Sequence, residues 1–90
     1  MSKRILRALV TALVVSFSGA ALADVELTFE ELPEPVQKTA VAEVKAGKIV
    51  EIERDLENGA TVYEIEFVLD GVKYELDIAP DGTLLRRHRD

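Results

Sequence analysis

The chain has 90 residues, no cysteine, and 11 lysines and arginines against 17 aspartates and glutamates, a formal charge of −6. That length holds one small domain. The missing cysteine removes disulfides and thiol chemistry, and the acidic balance excludes nucleic acid and anionic membrane surfaces as partners, since both need a basic face.

The first segment carries Lys3, Arg4 and Arg7, then an apolar run from Ala8 to Phe17 broken only by Thr11 and Ser16, then Ala21-Leu22-Ala23. A basic start, a short apolar stretch and an A-x-A site are the parts of a secretory signal peptide, with cleavage expected between Ala23 and Asp24. The run is shorter than the roughly 20 apolar residues of a membrane span, and it has neither a twin-arginine pair nor a lipid-bearing cysteine. Residues 1–23 are therefore expected to be a cleaved signal peptide and residues 24–90 a single periplasmic or secreted domain with no stable membrane anchor. Removing residues 1–23 leaves eight basic and 17 acidic residues, a charge of −9. An exported domain this small without disulfides depends on a well-patterned core.

Asp24 to Glu31 is expected to be a lead-in, in which Thr28 and Glu31 match the S/T-x-x-E capping box of one helical turn. Pro33 ends that turn, and Pro35 suits the first turn of a second helix, where its missing N–H is not needed. Val36, Ala40 and Val44 lie at i, i+4 and i+8 with Val41 beside them, which makes one apolar stripe. Glu34 at the start and Lys45 and Lys48 at the end complement the helix dipole, and Gly47 suits the left-handed position after it. The pattern predicts a helix from Glu34 to Ala46.

From Ile49 the period changes to two. Val50, Ile52 and Leu56 share a face with Arg54 among them, and two-residue turns at Asn58-Gly59 and Asp70-Gly71 give two successive hairpins. The first turn sets Ile52 opposite Ile65, Val50 opposite Phe67 and Arg54 opposite Tyr63. The second sets Phe67 opposite Tyr74, Ile65 opposite Leu76 and Tyr63 opposite Ile78. Both place Tyr63, Ile65 and Phe67 on one inner face, and a one-residue slip would turn them all outward. Pro80-Asp81-Gly82 suits a type I turn followed by a glycine bulge, leading into a last strand from Thr83 to about His88. The fold expected is α+β: an N-terminal helix, with a short preceding helical turn, packed on one face of a four-stranded antiparallel meander.

The same register puts Glu51, Glu66 and Glu75 in one row across the outer face and Glu53, Glu64 and Asp77 in the next. Like charges opposite one another on a sheet are destabilising. One reading is a solvated face relieved by the last strand, with Arg87 facing Glu75 if the third loop has three residues or Arg86 facing Asp77 if it has two. The functional readings are a docking surface for a basic protein partner, formed by Glu51, Glu53, Glu64, Glu66, Glu75 and Asp77, or a loose site for a calcium-type cation.

Residues 24–90 hold no serine and no cysteine, which removes serine and cysteine nucleophiles. The single histidine, His88, has no histidine or thiol companion, which argues against zinc. Asp77, Asp81 and Gly82 match positions 1, 5 and 6 of a calcium loop, but Ala79 and His88 stand at positions 3 and 12, so the EF-hand pattern fails. Carboxylate pairs can do acid–base chemistry, but an exposed sheet face offers nothing to raise one pKa over its neighbour. Tyr63 and Tyr74 are read as core residues with hydroxyls at the rim. No enzyme activity, cofactor or metal is expected, and the chain is expected to be a monomer or a weak homodimer through its edge strands.

Leu32-Pro33 with Val36, Gly47-Lys48-Ile49, Tyr63-Glu64-Ile65-Glu66, Asp70-Gly71 before Tyr74-Glu75-Leu76, and Asp81-Gly82-Thr83-Leu84 occur in an order and spacing that resemble the PepSY and PepSY-like domains. The resemblance implies an α+β domain outside the cytoplasm, found in inhibitory propeptides of thermolysin-like secreted metalloproteases or as small stand-alone exported proteins. It implies protease inhibition or regulation, acting in trans since this sequence carries no protease, and it supplies no catalytic residues.

Overall fold

The structure is a computed structural model and describes residues 24–90; the signal segment expected over residues 1–23 lies outside them. Strand β1 (Asp24–Glu26) leads to a 3-10 turn (Phe29–Glu31) and helix α1 (Glu34–Val44). Strands β2 (Lys48–Glu57), β3 (Ala60–Leu69), β4 (Val72–Ile78) and β5 (Leu84–Arg89) follow. The five strands form one antiparallel sheet in the order β1-β2-β3-β4-β5. The α+β architecture with one covering helix is as the sequence implies, but the sheet has five strands, not four. Asp24–Glu26 pairs with Asp55–Glu53 of β2 instead of serving as a bare lead-in. Three residues are too few to display a period of two, so this strand forms because β2 extends far enough to offer it an edge.

Both hairpins take the register that their turns dictate. Asn58 and Gly59 have φ of 53° and 81°, and Asp70 and Gly71 have φ of 54° and 78°, the positive pair a type I′ turn requires. Ile52 faces Ile65, Arg54 faces Tyr63, Ile65 faces Leu76, Phe67 faces Tyr74 and Tyr63 faces Ile78. Val50 departs from this pattern. A bulge between Ile49 and Glu51 puts Ile49 opposite Phe67 and leaves Val50 exposed. A bulge supplies an extra residue without disturbing the pairing on either side, so the inner row continues through Ile49.

The core lies between α1 and the inner sheet face. Leu32, Val36, Ala40 and Val44 meet Ile52, Tyr63, Ile65, Phe67, Leu76 and Ile78, all buried. Val36, Ala40 and Val44 form the inward stripe, whereas Val41, expected to lie beside it, is 62% exposed. The helix ends at Val44 rather than Ala46, and Lys45, not Gly47, takes the positive φ of 55°. Gly47 is needed for closeness instead: a Cβ there would lie 2.9 Å from the Val68 carbonyl oxygen and 3.0 Å from the Phe67 ring. Thr28 and Glu31 form the expected capping box, in which Glu31 Oε1 accepts the Thr28 N–H at 2.8 Å. Among the described residues no helix is long and apolar enough to cross a membrane.

The turn at Pro80-Asp81-Gly82 forms as expected. Gly82 N–H donates to the Ala79 carbonyl at 2.9 Å, and Gly82 has φ 94°. This turn also touches the start of α1: Thr39 Oγ1 donates to the Gly82 carbonyl, and a Cβ on Gly82 would lie 2.8 Å from the Pro35 carbonyl oxygen. Gly59 has no atom within 4 Å of the corresponding point. Gly59→Ala is therefore expected to cost only left-handed strain, about 1–2 kcal/mol. Gly82→Ala adds overpacking worth about 1–3 kcal/mol against a backbone oxygen that cannot turn away. Urea unfolding of the two variants should show Gly82→Ala as clearly the less stable.

Candidate functional site

The outer sheet face is where the sequence concentrates unusual chemistry. β-Pairing aligns Glu51, Glu66, Glu75 and His88 in one row, and Glu26, Glu53, Glu64, Asp77 and Arg86 in the next. All six expected acidic residues are thus on one face, as the register requires. They are not equally presented. Glu53 and Asp77 are buried, at 6% and 2% exposure, while Glu51, Glu64, Glu66 and Glu75 are half-buried.

The third loop has three residues, with the Ala79 N–H donating to the Thr83 carbonyl at 2.8 Å, yet a bulge after Leu84 brings Arg86, not Leu85, opposite Asp77 and keeps Arg87 away from Glu75. Arg86 Nε donates to Asp77 Oδ2 at 2.8 Å, and its Nη2 reaches Glu57 Oε1 at 3.0 Å. Glu57 belongs to β2, three strand spacings from β5, so these two long side chains meet over the sheet and span the face. Both contacts raise the Arg86 pKa above its ordinary value, the Glu57 hydrogen bond most and then that of Asp77. That bulge leaves Leu85 between Leu84, opposite Ile78, and Arg86, opposite Asp77. His88 stands opposite Glu75, its Nε2 3.9 Å from Glu75 Oε2. Lys73 Nζ lies 3.7 Å from Glu66 Oε1.

Arg87 does not face the acidic rows. It pairs with Leu76 and therefore turns to the helix side. Its Nη1 donates to Glu43 Oε1 at 3.0 Å, and its guanidinium carbon lies 5.0 Å from the Tyr74 ring centroid and 5.6 Å from that of Phe67. Phe67 and Tyr74 are stacked with centroids 5.3 Å apart. Arg87 thus closes the open side of the core by cation–π contact. The two adjacent arginines work on opposite faces of the sheet, which alternation in a strand demands.

The expectation that no carboxylate on this face would stand apart from its neighbours does not hold. Loss of water around Glu75, together with its hydrogen bond to Asp77 and the nearby charges of Asp77, Glu64 and Asp90, pushes its pKa up to about 8. Glu66 is also raised, first by loss of water and then by Asp90. Position in a row did not reveal this, because the shift comes from the depth of the face. Three groups bring potential metal-ligating atoms within 4.8 Å of one another: Glu75, Asp77 and His88; Asp55, Glu57 and Glu64; and Glu66, Glu75 and Asp90.

On the helix side, Phe29, Glu34, Gln37, Lys38, Val41 and Ala42 line a shallow groove that sequence patterning did not single out. The Gln37 amide spans its base, donating to the carbonyls of Leu32 at 3.0 Å and Phe29 at 3.3 Å. The exposure of Val41, off the apolar stripe by one position, was the signal available.

A family model named PepSY and described as peptidase propeptide and YPEB domain matches residues 32–81, more than half of the chain. No curated protein and no solved structure matches it.

Two outcomes follow from the electrostatics. Glu75 holds its proton in the folded state up to about pH 8 and in the unfolded chain only to about 4.5. Its contribution to stability is therefore complete below about pH 4.5 and is lost as pH rises through about 8. With solvent screening discounted, the loss amounts to about 1–2 kcal/mol. Glu75→Gln should flatten thermal stability against pH across that window. Separately, Arg86→Ala should destabilise more than Arg87→Ala in denaturant titrations, because it strands a buried carboxylate. The Arg87→Ala loss should shrink as salt rises, since its Glu43 pair is partly exposed.

Proposed function

The chain belongs to the PepSY family, and from that premise we propose that it is a non-enzymatic binding module, exported to the periplasm or secreted, that modulates a protein partner, in the first instance a protease. The observation that carries the reading is the family match over residues 32–81, the whole span from the helix entry to the third turn, to a domain described by its occurrence in peptidase propeptides. The basic, apolar and A-x-A pattern of residues 1–23 supports export. The absence of serine and cysteine from residues 24–90 supports binding rather than covalent catalysis.

The docking surface we assign is the outer sheet face. Glu51, Glu64 and Glu66 stand half-buried along it and offer negative charge to a partner with a basic surface, and Glu75, protonated below about pH 8, offers a hydrogen-bonding carboxyl beside them. Glu53 and Asp77 are too deep to be touched and act by setting the field and shape beneath. Charge complementarity of this kind steers encounter and discriminates between partners more than it adds affinity.

The test is site-specific photo-crosslinking in intact exporting cells, with the photoreactive residue at Glu66 on the outer face or at Val41 on the helix. A specific protein adduct from Glu66, identified by mass spectrometry as a protease, is the outcome expected. Absence of any specific adduct from both positions overturns the binding-module reading. An adduct from Val41 alone moves the docking surface to the helix. Added purified protein should also lower the activity of the captured protease in trans.

A further inference from the structure

Asp77 is the most deeply placed acid on the outer face. Its Oδ2 is taken by Arg86, but its Oδ1 is buried and has no hydrogen-bond partner. A buried polar atom left unpaired costs about 1–3 kcal/mol, so a group of this kind implies something that binds there. Two residues back on the same face of β4, Glu75 brings a second carboxylate oxygen within 4.8 Å of one of Asp77. Across the pairing to β5, His88 offers an imidazole nitrogen, and one ligand atom from each of Glu75, Asp77 and His88 lies within 4.8 Å of the others.

We propose that Glu75, Asp77 and His88 form a three-donor site for a divalent metal ion of the zinc class. Metal–nitrogen and metal–oxygen bonds of about 2.0–2.2 Å place tetrahedral donors about 3.4 Å apart. His88 Nε2 and Glu75 Oε2 stand at 3.9 Å, and all three donors lie within 4.8 Å of one another, somewhat wider than the bound set requires. Two carboxylates neutralise the dication, and three protein ligands leave a fourth position open to water or to a partner's side chain. The imidazole decides the class of ion: calcium and magnesium take oxygen donors, whereas an imidazole with carboxylates suits zinc and its neighbours. This departs from the calcium-type cation expected from the carboxylate rows alone. It also departs from the argument against zinc, which looked for histidine or thiol companions when those that the register supplies to His88 are carboxylates.

Arg86 is the charge opposed to such an ion. It binds Asp77 through the oxygen the metal does not need, and so orients the ligand as outer partners in metal sites do. The other charged groups facing the pair are Glu64 and Glu66 of β3, Lys73 of β4 and Asp90 beyond β5, so acids outnumber bases around the site.

The test is titration of the purified full-length protein with zinc chloride at pH 8.0, read by calorimetry and by the ring resonances of His88 in NMR spectra. The result expected is one ion per chain and displaced His88 resonances, with calcium at the same concentration producing neither effect. His88 is half-exposed on the edge strand, so His88→Ala keeps the fold and should weaken zinc binding tenfold or more, as should the isosteric Glu75→Gln. Zinc binding that leaves the His88 resonances in place, equal affinity in His88→Ala, equal response to calcium, or no binding at pH 8.0 each overturns the proposal. None of these outcomes bears on the crosslinking result, so the metal site and the binding-module reading stand or fall separately.

Discussion

Everything in this domain depends on register, and register depends on two pairs of residues held at positive φ. Asn58-Gly59 and Asp70-Gly71 close two-residue turns that leave the strands no freedom to slide. Sliding by one position would send Tyr63, Ile65 and Phe67 to solvent and bring Glu64 and Glu66 under the helix. In a domain with no disulfide, the core that α1 covers exists only because both turns agree on which residues face it. The acidic face has the same origin, since the alternation that fills the core with apolar side chains lines up the carboxylates behind it.

Aligned carboxylates would normally oppose folding, and this sheet offsets them with devices of different depth. At the surface Lys73 approaches Glu66, an exposed pair of the sort that contributes little. Deeper in, Arg86 crosses the face from β5 to bridge Asp77 and Glu57. At Glu75, loss of water and the neighbouring carboxylates raise the pKa, so that charge is removed instead of matched. The order follows from dielectric: where water is present charges are screened, and where it is excluded a charge must be matched or removed.

Much of this was legible before any coordinates, and the misses have physical reasons. The inner row, the hairpin pairings and the turn at Gly82 were legible because period and turn chemistry are local. The bulges at Val50 and Leu85 were not, because an extra residue in a strand leaves no mark on composition, and the only trace at Val50 is that Ile49 serves the inner face equally well. Lys45 takes the left-handed position in place of Gly47 because Gly47 is committed to letting β3 approach. The two arginines were legible as neutralising groups, but it is the bulge at Leu85 that decides which of them turns inward. Strand β1 and the pKa of Glu75 depend on what other segments cover, information that no window of sequence contains.

Strand β5 joins these threads. It is an edge strand exposed along its length, yet its side chains complete both layers: Arg86 matches the buried Asp77 outside, while Arg87 caps Phe67 and Tyr74 and grips Glu43 of the helix inside. Edge elements with few buried apolar side chains are the first to open in native proteins. Opening here would uncover a carboxylate and an aromatic pair together, so the outer site and the inner core cannot loosen independently. Ligands that hold β5 against β4, whether an ion on His88 and Glu75 or a partner laid across both strands, must stabilise the closed sheet by mass action. Whatever holds β5 in place on the outer face therefore also keeps Arg87 over the aromatic pair on the inner one.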